Sequence, residues 1–153
     1  MTRLIYASLW ALGVSTGLIG PAAANDDHIA TFKNVSGDVK VERKDATLNG
    51  GSGMKLFVSD RILSGDGAAA GIAFKDGTLL TVGPSADLQV RDYAFEPKRD
   101  KYAFFVYLAK GAAIYSSGMM AKLAPESIKV ATPIATIGVR GTRFIIEADK
   151  LPQ

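Results

Sequence analysis

The aspartates offer this chain's nearest approach to a hydrolytic pair, at Asp26/Asp27 and at Asp60/Asp66. Hydrolysis by two carboxyls needs them held at a defined separation, in surroundings that keep one protonated and the other ionised. Their neighbours argue for turns instead. Asp66 precedes Gly67 and Asp76 precedes Gly77, the placement of a turn aspartate that accepts local backbone hydrogen bonds. The only histidine, His28, sits in the expected N-terminal tail, four residues after Ala24, a poor place to hold a general base, and no serine after residue 24 stands in a Gly-x-Ser-x-Gly elbow. One histidine and no cysteine make no transition-metal ligand set. Asp60 and Asp66 could contribute to a calcium site, but the twelve-residue calcium-loop pattern is absent. The chain is read as a non-enzyme with no catalytic residues, no cofactor and no metal.

Two other stretches carry chemistry. Residues 135–144 read ATIGVRGTRF, with Arg140 and Arg143 around Gly141-Thr142. A phosphate-cradling loop would lead into a helix N-terminus, whereas the strand-like FIIE follows here. Gly141 is therefore expected where the backbone turns or approaches closely, with Val139 and Phe144 buried on either side. Arg140 and Arg143 are expected to pair with local carboxylates or carbonyls. The second stretch surrounds the charged run Glu96–Lys101: Tyr93, Phe95, Tyr102, Phe104, Phe105 and Tyr107. Tyrosine buries area while keeping a polar tip wet, which suits a protein or glycan interface. Phe104 and Phe105 are assigned to the core; Tyr93, Tyr102 and Arg99 form the expected contact surface.

The elements that must hold these residues begin after residue 24. Residues 1–24 combine Arg3, an apolar run from Leu4 to about Ile19, the breakers Gly20-Pro21 and an Ala-Ala-Ala ending, the pattern of a cleaved secretory signal. Cleavage near Ala24/Asn25 would place the protein in the periplasm or outside the cell, with no stable membrane insertion; the alternative is an uncleaved anchor. Removing residues 1–24 of 153 takes away one of 18 basic residues and none of 15 acidic ones, leaving a net charge of about +2. So small an excess gives no basic face for nucleic acid.

Beyond the leader the pattern is β. Val39/Val41, Leu88/Val90 and Ile128/Val130 alternate with polar residues, and turn residues recur at the cadence of an all-β domain. Asp76-Gly77 between two apolar runs is a hairpin signal, read as a tight primed turn. Asn49–Gly53 is read as a flexible surface loop. The expected division is a tail and first strand over 25–34, one domain over 35–148 and a tail over 149–153. The expected architecture is a twisted β-solenoid-like stack of short strands, with a two-sheet sandwich as the alternative. Expected core positions are Val39, Val41, Ile62, Ile72, Phe74, Leu80, Val82, Leu88, Val90, Ile114, Val130, Ile137, Val139, Phe144 and Ile146.

Several motifs occur in a characteristic order: Asp60 followed by Gly65-Asp66, Asp76-Gly77-Thr78, Gly83-Pro84, Thr132-Pro133 and Val139-Arg140-Gly141-Thr142-Arg143-Phe144. In that order they resemble the FecR domain, over about Val35 to Ala148. The resemblance implies a non-enzymatic module of the bacterial envelope that receives signals from a protein partner. In the regulators of that type, this domain follows a cytoplasmic segment that handles a sigma factor and a membrane span. Here a signal peptide is expected in their place, so the resemblance implies a stand-alone exported module that binds another envelope protein, or alternatively a glycan such as peptidoglycan.

Overall fold

The computed structural model describes residues 26–141 and 143–149. The expected signal peptide and its cleavage site, Thr142, and the tail from residue 150 onward lie outside the described residues. The chain advances in passes that each turn a corner. Strand β1 (Ala30–Ser36) turns at Gly37 into β2 (Val39–Arg43). After β3 (Ala46–Asn49) and the short β4 (Lys55–Leu56), β5 (Arg61–Ser64) turns into β6 (Ala69–Phe74), and β7 (Leu79–Val82) into β8 (Asp87–Glu96). The 16-residue β9 (Lys101–Ser116) makes its corner within one strand, at Gly111. A one-turn helix, α1 (Met120–Leu123), leads to β10 (Ile128–Ala131), β11 (Thr136–Gly138) and β12 (Arg143–Ala148).

Each pass pairs with the next on both sides of its corner. β2 pairs with β5 and β1 with β6; β5 pairs with β8 and β6 with β7. The first half of β9 lies between β8 and β10, and its second half between β7 and β12. The product is the expected single all-β domain, in the form of one curled, mostly antiparallel sheet, a half-barrel. Only β10 with β9 runs parallel among the described pairs, so the stacked strands are joined by antiparallel pairing and not by the parallel rungs of a solenoid. The inward side chains of both arms merge into one core that includes Phe32, Leu56, Ile62, Leu80, Val106 and Tyr115.

The corners are built from small residues and backbone hydrogen bonds. Gly65 N–H donates to the Asp38 carbonyl at 2.8 Å, Ser64 N–H to that of Ala86 at 3.0 Å, and Gly83 N–H to that of Ala112 at 2.9 Å. Gly111 has φ +88°, and a Cβ there would lie 2.6 Å from the Ala86 Cα, so neither the backbone angle nor the space admits a side chain.

Twelve of the fifteen expected core positions are buried; the other three have local causes. Along β9 the register against β8 slips, Asp87 facing Lys110 while Leu88 faces Leu108. The extra residue reverses which parity points inward, so Ala113 and Tyr115 are buried and Ile114 faces outward. Ile137 is 43% exposed because β11 pairs only with β10 and lies at the sheet's margin. Phe144 is half-buried, its ring stacked 4.9 Å from that of Tyr115. The hairpin at Asp76-Gly77 is also longer than the primed turn expected: Gly77 N–H donates to the Phe74 carbonyl and Gly77 has φ +85°, the three-residue loop with a left-handed glycine. Asn49–Gly53 is tied down by Gly50 N–H to the Val39 carbonyl and Gly53 N–H to that of Phe32. The domain also reaches further toward the N-terminus than residue 35, because all of β1 is sheet and Ile29 is buried.

Candidate functional site

The aspartates expected to mark the domain occupy different stations along the half-barrel. Asp60 closes the turn before β5 and is fully buried. Arg43, at the end of β2, grips it from two directions, Nε to Oδ1 at 2.8 Å and Nη2 to Oδ2 at 2.7 Å. Phe57 N–H donates to the same Oδ2 at 2.8 Å. Arg43 also donates to the Lys55 carbonyl and lies 4.5 Å above the Phe57 ring. Hydrogen bonding to Asp60 raises the Arg43 pKa above its ordinary value. A cleft of about 500 Å³ opens beside it, lined by Arg43, Lys44, Phe57, Val58, Ser59 and Asp60.

Asp76 is buried at the tip of the β6–β7 hairpin. Its carboxylate accepts from Thr78 N–H (3.2 Å), Thr78 Oγ1 (2.7 Å), the Tyr93 hydroxyl (3.2 Å) and Met120 N–H (3.3 Å). Asp76 N–H donates in turn to the Tyr93 oxygen at 3.0 Å, and Gly118 N–H to Thr78 Oγ1 at 3.2 Å. One carboxylate thus fastens a hairpin to β8 and to the segment entering α1. Burial, reinforced by the Asp76 charge, pushes the Tyr93 phenol well above its ordinary pKa. Burial likewise raises Tyr115, whose hydroxyl is the one buried side-chain polar atom left without a hydrogen-bond partner among the described residues.

Gly65 and Asp66 lie at the corner between β5 and β6, where exposed Asp66 accepts from the Ser85 hydroxyl. Six residues of largely extended chain put Asp66 on the order of 15–20 Å from Asp60, too far for one metal site. Among the described residues there is no group of three metal-ligating side chains. Among the described residues the His28 side chain bonds Asp26, at 2.8 Å. Asp60 and Asp76 are each held by neighbouring donors, not by each other.

Thr132-Pro133 form the turn of the β10–β11 hairpin, closed by Thr132 N–H to the Ala135 carbonyl at 2.7 Å. Gly141 departs from expectation: it is exposed, a Cβ there would meet nothing within 4 Å, and its φ is not positive. The linker it belongs to crosses from β11, in one arm of the sheet, to β12, in the other. Val139 is buried as expected, but Arg140 and Arg143 are exposed and make no side-chain hydrogen bond or ion pair with a described residue.

The expected contact surface also changes. Tyr93 is core, because a bulge between Val90 and Asp92 shifts β8 by one residue and turns Tyr93 inward. Tyr102 is half-buried against Phe95, and Arg99 is exposed and pairs with Glu96 at 3.2 Å. Phe105, expected in the core, faces outward beside Tyr107. Arg91 of the neighbouring strand stacks over both, 3.9 Å from the Tyr107 ring centroid and 5.8 Å from that of Phe105. On the same outer face, Arg61 bridges Asp87 (2.8 and 2.5 Å) and Glu42 (3.0 Å), with hydrogen bonding to Asp87 the main cause of its raised pKa. The parity of β9 alone points to Phe105 and Tyr107 as outward; the bulge that settles the facing strand leaves no mark in the sequence.

Fold and site together define an all-β domain whose buried polar groups hold strands and whose exposed chemistry suits binding. A family model described as FecR protein matches residues 60–152, and the chain belongs to the FecR family. FecR domains form a regulatory family associated with signalling in the bacterial envelope. Neither a curated protein nor a solved structure matches the chain. No helix among the described residues is long and apolar enough to cross a membrane.

Proposed function

We propose that the protein is an exported, non-enzymatic FecR-domain module that binds another envelope protein and serves as a signalling accessory. The observation that carries this reading is the Arg91–Tyr107–Phe105 strip on the outer face of β8 and β9. Tyrosine supplies large contact area with few rotamers to freeze, and arginine and tyrosine are enriched among the residues that dominate the energetics of protein interfaces. Export rests on residues 1–24, whose order of charge, apolar run and small residues fits a secretory leader. The motif residues Asp60, Gly65, Asp66, Asp76 and Gly77 are assigned to the scaffold, and Thr132, Pro133, Arg140, Gly141, Thr142 and Phe144 to the C-terminal strand region.

Crosslinking in intact envelopes, followed by capture of the protein, tests the reading. A specific partner retained by the wild type and lost on Arg91→Glu or Tyr107→Ser supports it. The absence of any partner at native expression levels, from protein shown to be folded, overturns it. A second reading, binding of peptidoglycan or another glycan, is favoured by the same stacked tyrosine beside Gln89, a polar rim on an aromatic platform. Co-sedimentation with purified peptidoglycan above a control protein would select it.

A further inference from the structure

Strand β12 forms one margin of the sheet: it pairs with β9, and no described strand pairs with its other side. Alternate residues of an antiparallel strand turn their backbone N–H and C=O groups away from the paired neighbour, so half of these groups face the open side. Natural edges are blunted by lysine, proline or extreme shortness. β12 holds no lysine or proline and runs six residues, and the two charges it does carry, Arg143 and Glu147, are of opposite sign. Its outward row reads Arg143, Ile145, Glu147, with Ile145 65% exposed at the centre and opposite charges at the two ends.

That row is complementary to itself. Antiparallel pairing of β12 with a second β12 keeps inward residues facing inward only if the two-fold axis passes through a residue and not between residues. With the axis at Ile145, the two copies of Ile145 meet, and Arg143 of each copy faces Glu147 of the other, twice over. Centring on Phe144 or Ile146 sets a charge against Ile145, and parallel pairing sets Arg143 beside Arg143. We propose that β12 is a self-association edge through which two copies of this chain join their sheets antiparallel, in the register Arg143–Glu147, Ile145–Ile145. The partner is a second copy because a two-fold interface requires a self-complementary patch, and this edge has one.

The experiment is sedimentation equilibrium on the chain expressed with its own residues 1–24 and purified as it accumulates. The wild type is expected to be a reversible dimer. Arg143→Glu or Glu147→Arg alone replaces two attractive cross-strand pairs with two repulsive ones and weakens dimerisation about ten-fold or more. The double variant Arg143→Glu/Glu147→Arg restores it, and a mixture of the two single variants forms a heterodimer tighter than either homodimer. That mixture keeps the test decisive if one variant is less stable, since recovery requires both chains to be folded. Ile145→Lys abolishes association. A wild type that stays monomeric up to about 1 mM overturns the proposal. So does a dimer indifferent to both charge reversals and to Ile145→Lys, or a strand from an unrelated protein found to occupy the edge in place of a second copy.

Discussion

Replacing Asp76 by alanine removes the acceptor of four hydrogen bonds in one step. Two of the donors, the Thr78 and Met120 backbone amides, make no other hydrogen bond among the described residues, and Asp76 is buried. A buried donor left unpaired costs about 1–3 kcal/mol. The two hydroxyls lose less, because they rotate: Tyr93 still accepts from the residue 76 amide and Thr78 still accepts from Gly118. The total comes to about 3–5 kcal/mol, a large share of the stability of one small domain. At roughly 4 °C per kcal/mol, the melting temperature should fall by about 12–20 °C. Equilibrium urea unfolding, compared with Tyr93→Phe and the double variant, measures it. The two single losses should exceed the double loss by about 1 kcal/mol, since both remove the same hydrogen bond. A loss below about 1 kcal/mol for Asp76→Ala would refute the claim that this carboxylate fastens three segments together.

At the other buried carboxylate, Arg43→Met leaves Asp60 without its guanidinium partner; the cost is about 2–3 kcal/mol, below the fully buried range because Arg43 is 28% exposed. Urea midpoints in low and high salt should show the loss nearly unchanged by salt. Gly111→Val is expected to prevent folding or to cost more than about 3 kcal/mol, whereas Gly141→Ala should change stability by less than about 0.5 kcal/mol, and parallel thermal melts decide between them. Hydrogen bonds from Lys55 and then His28 hold the Asp26 carboxyl at about 2, below its ordinary 3.8. With the folded pKa depressed, this tether contributes above about pH 4 and is lost as pH falls toward 2; an NMR titration of Asp26 should give the low midpoint, and Lys55→Met should move it back up.

The aspartates were legible as structural groups but not as to what they fasten. Asp76 before Gly77 announces a turn, and the turn is there. That the same carboxylate also reaches Tyr93 and Met120 depends on contacts 17 and 44 residues away, which no local pattern encodes. Asp60 shows the same limit: its partner Arg43 lies 17 residues back and meets it only because β2 and β5 pair. Two of the misassigned positions, one in β8 and one in β9, share one cause. Period-two reading assumes an unbroken strand, and a single extra residue in β8 or β9 reverses inward and outward for everything beyond it. Tyr93 and Ile114 both lie past such a slip.

Alternation, turn residues and the ordered motifs by themselves determined the all-β class, most of the core and the family. Those signals are local, and each strand's burial follows from its own two faces. Tertiary structure alone decided that the passes bend at stacked corners into a half-barrel, that Asp60 and Asp76 act at separate stations, and that Arg91 meets Tyr107. It also decided that Gly141, between β11 in one arm and β12 in the other, is exposed and not in a crowded turn. These outcomes rest on which strands become neighbours and in what register, and pairing energy is realised only when distant segments meet.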